Sequence, residues 1–213
     1  MLKAKRLVAV GPGSEPDARV VSDQQIIAGL TAGEAWASEA FYDRVSSVVE
    51  RTLRRIIQSP RADSEDLQQI TLERIVASVV EGRFSGACSL TTWASAIAGH
   101  VGIDALRSRI RERALFQGFA AGPDAEERGS LRSDGATLER RLEARSEIAH
   151  VQHLLATMRP EHARTLVLHD VLGHELSEIA VLMGVSVAAA QSRLVRGRKE
   201  LLQRARTRLG RDT

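Results

Sequence analysis

Apolar residues in this chain recur every three or four positions, in blocks separated by glycine, proline and clustered polar residues. From Asp23, a residue type suited to a helix N-cap, Ile26, Ile27 and Leu30 follow at helical spacing. The stretch GEAWASEAFYDRVSSVVERTLRRII continues the pattern. Its Trp36, Ala40, Phe41, Val45, Val48, Val49, Leu53, Ile56 and Ile57 form one apolar stripe. Ser59 and Pro60 break the stripe. Ser64 restarts it as a cap, with acids in the first turn where the helix dipole favours them. Gly82 to Ser89 reads as a loop, and LTTWASAIAGHVGIDALRSRIRERALF as a further helix ending in basic residues. Strand-like alternation is absent throughout.

The pattern then changes. QGFAAGPDAEERGSLRSDGAT holds four glycines, a proline and scattered charge, and predicts a tether with no element of its own. Helical periodicity resumes near Leu138 and runs to Leu155. A helix is predicted from Pro160 to Val171, with proline in its first turn and Gly173 ending it. The fold class expected is all-α: two small helical domains joined by a flexible linker, with a helix-turn-helix at the C-terminal end. The boundaries expected are a flexible tail over 1–22, a first domain over 23–115, a linker over 116–147 and a second domain over 148–210. Composition agrees. Aromatics make up only 3% of the 213 residues against 43% hydrophobic, so the core must be built from Leu, Ile, Val and Ala.

The helix-turn-helix is read from SEIAVLMGVSVAAAQSRLVRGRKELL. Ser177 is placed to cap a short helix over 178–183, Gly184 permits a sharp turn at positive φ, and Ser186 is placed to cap the next helix. Ile179, Ala180, Met183, Val185, Ala190 and Leu194 fall where two crossing helices meet, with Ala180 small at the closest point. In a helix-turn-helix the second helix enters the major groove while the first braces it across the backbone. From Gln191 to Arg211 there are eight basic residues against one acid, Glu200, although the whole chain carries only +3. Such clustering suits a polyanion. The alternatives at this level are a solvated helix face and an ordinary helical hairpin.

Other chemistry is sparse. Cys88 is the single cysteine, which excludes an intrachain disulfide and a thiolate metal cluster. His150 and His153 lie three apart, but without a fixed acidic spacing no metal site is expected. No nucleophile–base pair, phosphate-binding glycine loop or catalytic carboxylate pair is visible, so neither cofactor nor enzymatic activity is expected. The apolar part of MLKAKRLVAVGPGSEPD is too short for a signal peptide, and no run has membrane-spanning length. A cytoplasmic protein without membrane insertion is expected.

MRPEHARTLVLHDVLGHELSEIAVLMGVSVAAAQSRLVRGRKELL resembles the promoter-binding C-terminal region of bacterial sigma factors of the extracytoplasmic-function (ECF) type. That family shows an L-P or R-P start, a D-x-x-G-x-S/T-x-x-E-I-A passage, a glycine turn and a V-x-S-R-L-x-R-A-R ending. Here these correspond to Arg159-Pro160, then Asp170, Gly173 and Glu178-Ile179-Ala180, then Gly184, and Ser192-Arg193-Leu194 with Arg196 and Arg198. Gln191 stands where lysine is common and Ala190 where valine is common. GEAWASEAFYDRV, SEDLQQITLERIV and GRFSGACSLTTWASAIAGHVGIDALRSR resemble successive helices of the same family's N-terminal domain. Departures there are the aliphatic Val76, Gly99-His100 in place of R-N, and Ile70 in place of an acid.

The resemblance implies a dissociable specificity subunit of RNA polymerase. The core's largest and second-largest subunits, promoter DNA and an anti-sigma factor are the partners implied. The upstream promoter element would be read by Ser186, Ala188, Ala189, Gln191, Ser192, Arg193, Arg196, Arg198 and Lys199. The start-proximal element would be met and melted by Thr92, Trp93, His100, Arg107 and Arg109. Polymerase would meet Glu65, Asp66, Gln69 and Glu73, while Leu67 and Ile70 pack inward. A stand-alone helix-turn-helix regulator and a sigma-like interaction protein without promoter-opening activity are the competing readings.

Overall fold

A computed structural model describes residues 21–57, 61–117 and 135–209. The tail as far as residue 20, the Ser59-Pro60 break and residues 118–134 of the expected linker lie outside the described residues. Among the described residues every element is helical and no strand is present. In order they are α1 (Asp23–Ala32), α2 (Ala35–Ile57), α3 (Arg61–Val80), α4 (Leu90–Gln117), α5 (Gly135–Thr157) and α6 (Pro160–Leu166). A π-helical turn (Val167–Val171), α7 (Leu176–Met183) and α8 (Val187–Leu209) follow. They form two compact bodies. One holds 21–54 and 61–98; the other holds 55–57, 99–117 and 135–209, so the division falls inside α2 and α4.

In the first body α1 and α2 are separate helices, where periodicity alone ran them together. Gly33 ends α1 at φ 76, a conformation that disfavours a side chain, and its N–H reaches back to Gly29 and Leu30. Gly29 is the close-approach residue. A Cβ there would stand 2.6 Å from the Cβ of Ala37 on α2. The apolar stripe of α2 runs through Ala37, Phe41, Val45, Val49 and Leu53, all buried, while Trp36 and Val48 sit half-exposed at its flanks. The inward face of α3 is Thr71, Ile75 and Val79, not Ile70, which is 41% exposed. Thr71 satisfies its hydroxyl locally by donating to the Leu67 carbonyl at 2.6 Å.

The N-cap of α1 is Ser22, whose Oγ accepts from the Gln25 N–H at 3.3 Å while the Gln25 carboxamide accepts from the Ser22 N–H at 2.9 Å. Asp23 is thereby released for a longer-range task. It accepts from Arg44 of α2 at 2.5 Å and from the Leu90 N–H of α4 at 2.7 Å. One carboxylate thus links the start of α1, the middle of α2 and the N-terminus of α4, where the dipole favours a negative charge.

In the second body α4, from Gly99 onward, packs on its neighbours through small residues near its middle. A Cβ at Gly99 would lie 3.4 Å from Leu172, and one at Gly102 would lie 3.0 Å from Ile56. Arg107 donates to the carbonyls of Ala156 and Met158 at 3.2 and 2.9 Å, satisfying the end of α5. Arg164 of α6 meets Asp104 at 3.3 Å. Beside this pair, the Nε2 of His100 and the Nε of Arg164 are buried with no hydrogen-bond partner among the described residues. Burial, reinforced by the Arg164 charge and opposed by Asp104, pushes His100 from 6.5 down to about 4.

Two outcomes follow from this packing. Asp23→Ala should lower stability by ~1–3 kcal/mol in urea unfolding, because it strands a buried N–H and an arginine; Asp43→Ala, exposed on the same helix as Arg44, should stay within about 0.5 kcal/mol. His100 gives a pH dependence. The unfolded chain takes up a proton near pH 6.5 that the folded chain refuses until about pH 4, so stability should drop as pH falls through that window. The drop is at most about 3 kcal/mol, and His100→Gln should flatten it in unfolding titrations across the same range.

Candidate nucleic-acid interface

The N-terminal half of α8 is an exposed helix start held by a short brace. Gly184, at φ 62, closes α7 with its N–H on Ala180 and Val181. Ser186 then accepts from the Ala189 N–H at 3.2 Å and begins α8, as its position in the sequence predicts. The axes of α7 and α8 turn by 102°, within the range of a helix-turn-helix. Ile179, Ala180, Ala190 and Leu194 are buried at the crossing. The cap of α7 differs from the expectation. Ser177 lies inside the helix, and Glu175 is the N-cap, its N–H bonded to the Glu178 carboxylate at 3.1 Å. Glu175 occupies the S/T position of the motif, so a carboxylate stands where a hydroxyl is usual.

The brace extends to α6, the element most heavily engaged with α8. Gly197 is the point of closest approach: a Cβ there would lie 3.2 Å from Leu166 and 3.3 Å from the His162 carbonyl. Glu200, on α8, serves the start of α6. Its carboxylate lies 2.7 Å from His162 Nδ1 and accepts from the Arg159 N–H at 3.3 Å. It also accepts from Arg204 at 2.9 Å. Arg159 is the N-cap of α6 but makes no side-chain cap bond. Glu200 therefore does the capping from another helix, where the dipole welcomes its charge. Burial works to raise its carboxyl, but the hydrogen bonds from His162, Arg159 and Arg204 prevail and hold it below the usual range.

On the far side of α8, Arg198 Nε and Nη2 grip Asp170 at 3.1 and 2.5 Å, and His169 Nδ1 lies 2.7 Å from the same carboxylate. The hydrogen bond from Arg198 lowers the Asp170 pKa, against a smaller opposing effect of burial. Asp170 sits in the π-helical turn that ends the predicted Pro160–Val171 helix. There the Leu172 N–H reaches the Val167 carbonyl at 2.9 Å, and Val167 and Leu168 are both buried.

Of the upstream-element residues, Ser186, Ala188, Gln191, Arg196, Arg198 and Lys199 are exposed, and Ala189, Ser192 and Arg193 are half-buried. Arg193, Arg196 and Lys199 have no carboxylate partner among the described residues, unlike Arg198. Arg208 and Arg211 are not among the side chains described. The start-proximal set is divided. Thr92 and Trp93 lie in the first turn of α4 in the first body. Ser89 receives the Thr92 N–H at 3.0 Å, and Trp93 packs on Phe84 with ring centroids 5.0 Å apart. His100, Arg107 and Arg109 belong to the second body, half-buried, with His100 beside Arg164 and Arg107 on the end of α5. Glu65, Asp66, Gln69 and Glu73 all lie on the exposed face of α3, where Gln69 donates to Glu73 at 3.0 Å and Ile70 lies among them. The roles of Gly197, His162 and Glu200 are not readable from periodicity. The glycine between Arg196 and Arg198, where the motif has alanine, is the one signal of that close crossing. Among the described residues no His, Cys, Asp or Glu group is arranged to hold a metal ion, and no single helix is long and apolar enough to cross a membrane.

Comparison with known proteins accords with this geometry. Residues 41–112 match the family described as Sigma-70 region 2, and residues 149–201 match Sigma-70, region 4, together more than half of the chain. The chain is 29% identical to RNA polymerase sigma factor CarQ of Myxococcus xanthus over 78% of this chain and 88% of that protein. It is 27% identical to ECF RNA polymerase sigma factor SigC of Mycobacterium tuberculosis over 85% and 92%. Its fold is similar to that of CnrH, solved in complex with the cytosolic domain of CnrY, with a TM-score of 0.50 at 20% identity, over 90% of this chain and 99% of that one. With region 2 preceding region 4 and the helix-turn-helix carried by the latter, this chain belongs to the sigma-70 family of RNA polymerase sigma factors, in its extracytoplasmic-function group.

Proposed function

We infer that this chain directs promoter-specific transcription initiation by RNA polymerase. The observation that carries this is the pairing, on one chain, of a region-2 helical body and a region-4 helix-turn-helix whose N-terminal half is exposed and basic. In the proposed division of labour, α8 enters the major groove of the upstream element. Ser186, Ala188, Ala189, Gln191 and Ser192 meet base edges, while Arg193, Arg196 and Lys199 meet phosphates. The exposed row of Glu65, Asp66, Gln69 and Glu73 on α3 docks on basic groups of the core's largest subunit, with the second-largest subunit a further contact. Trp93, on its Phe84 support, stacks at the melted start-proximal element, with Thr92, His100, Arg107 and Arg109 following the strand. Engagement of His100 and Arg107 within the second body means that this last role requires those contacts to be exchanged for DNA. Nucleotide polymerisation belongs to the core, so the chain acts in the cytoplasm as a specificity factor and not as an enzyme. An anti-sigma factor is proposed as a further partner; CnrH, similar in fold, was solved in complex with the cytosolic domain of another protein, CnrY.

Run-off transcription from a genomic fragment library should give transcripts with defined starts only when core polymerase and this chain are both present; none, with no core binding, would remove the reading. Arg193→Ala and Arg196→Ala should each weaken promoter binding by the reconstituted holoenzyme and reduce the slope of log K against log salt by about 0.9 for each phosphate left without its arginine. Asp66→Arg should weaken core binding at least about tenfold in a competition assay, because a like charge opposite a basic surface costs several kcal/mol.

A further inference from the structure

We propose that Asp170 is a positioning residue for promoter recognition, holding the Arg198 guanidinium so that its free edge faces a backbone phosphate beside the groove. The inference rests on the reading that α8 enters promoter DNA. Arg198 follows Gln191 by about two helical turns, so both lie on the same face of α8. Its side chain is 50% exposed. Asp170 reaches it from a different element, the π-helical turn, and takes both hydrogens of one edge through Nε and Nη2 at 3.1 and 2.5 Å. His169 closes that edge, with its Nδ1 at 2.7 Å from Asp170 and 3.4 Å from Arg198 Nη2. Nη1, on the opposite edge, has no partner among the described residues.

A carboxylate beside a phosphate contact is an electrostatic cost, because binding to DNA is governed by neutralised phosphates. It favours binding only when alignment outweighs repulsion. An arginine fork fixed in advance loses little freedom on binding, whereas a free one must be ordered by the DNA. The two possibilities therefore predict opposite signs. If Asp170 aligns Arg198, removing its charge weakens binding; if Asp170 only neutralises Arg198, removing its charge strengthens binding.

The test uses holoenzyme reconstituted from core polymerase and the full chain, titrated with labelled promoter duplex carrying the upstream element at several salt concentrations. Asp170→Asn is expected to lower affinity about threefold to tenfold. It should also reduce the salt slope toward that of Arg198→Gln, lower by about 0.9 than the parent. The Asp170→Asn, Arg198→Gln double variant should bind no more weakly than Arg198→Gln alone. Arg198→Lys, which keeps the charge but not the fork, should match Asp170→Asn and so guards against a folding defect in the latter. Equal or tighter binding by Asp170→Asn with an undiminished slope would overturn the proposal, as would parent-like binding by Arg198→Lys. Failure of the parent holoenzyme to bind the promoter would overturn the underlying reading itself.

Discussion

The C-terminal body depends on one crossing, that of α6 over α8 at Gly197. The backbones approach so closely there that a single added carbon meets Leu166 and the main chain of His162. Close approach brings charged groups on either side of the glycine within hydrogen-bonding range of α6 and the turn after it. Glu200 reaches the N-terminus of α6 on one side, and Arg198 reaches Asp170 on the other. With α8 held from both sides, its azimuth is set, and the residues ahead of the crossing project outward. A recognition helix must present one face reproducibly to the groove, and this crossing supplies the reference for that face.

A comparable arrangement is visible in the first body, where a single acid organises three helices. Asp23 gains its reach because Ser22 takes over the capping of α1. In both bodies a carboxylate satisfies the N-terminus of a helix to which it does not belong, Asp23 for α4 and Glu200 for α6. For Glu200, burial of the carboxylate is opposed and outweighed by the hydrogen bonds it receives, including that from the N–H at the start of the helix it caps.

The charge on α8 is consequently not one uniform patch. Along the sequence its arginines look alike. In the structure, Arg204 turns back to Glu200 and Arg198 is shared with Asp170, while Arg193, Arg196 and Lys199 retain their head groups for other partners. The basic surface of α8 is therefore shaped by which head groups acids on other turns and elements hold, and not by the count of basic residues alone.

Helical periodicity, the turn chemistry of Gly184 and Ser186, and the order of the two sigma-like segments were legible in the residues themselves. Each is a local or repeating property of the chain. Local reading failed where a distant group decided the outcome. Ser22 displaced Asp23 as a cap because Asp23 had a better partner sixty-seven residues away. Ile70, expected inside, faces outward because α3 turns Thr71 and Ile75 to the core. Glu175 displaced Ser177 because the helix begins one position before Ser177, with Glu178 in range of its first N–H. Which arginine is free and which is held, which histidine is buried without a partner, and where two helices touch are properties of distance in space. Sequence spacing carries no such distances beyond a helical turn or two, so only the tertiary structure decided them.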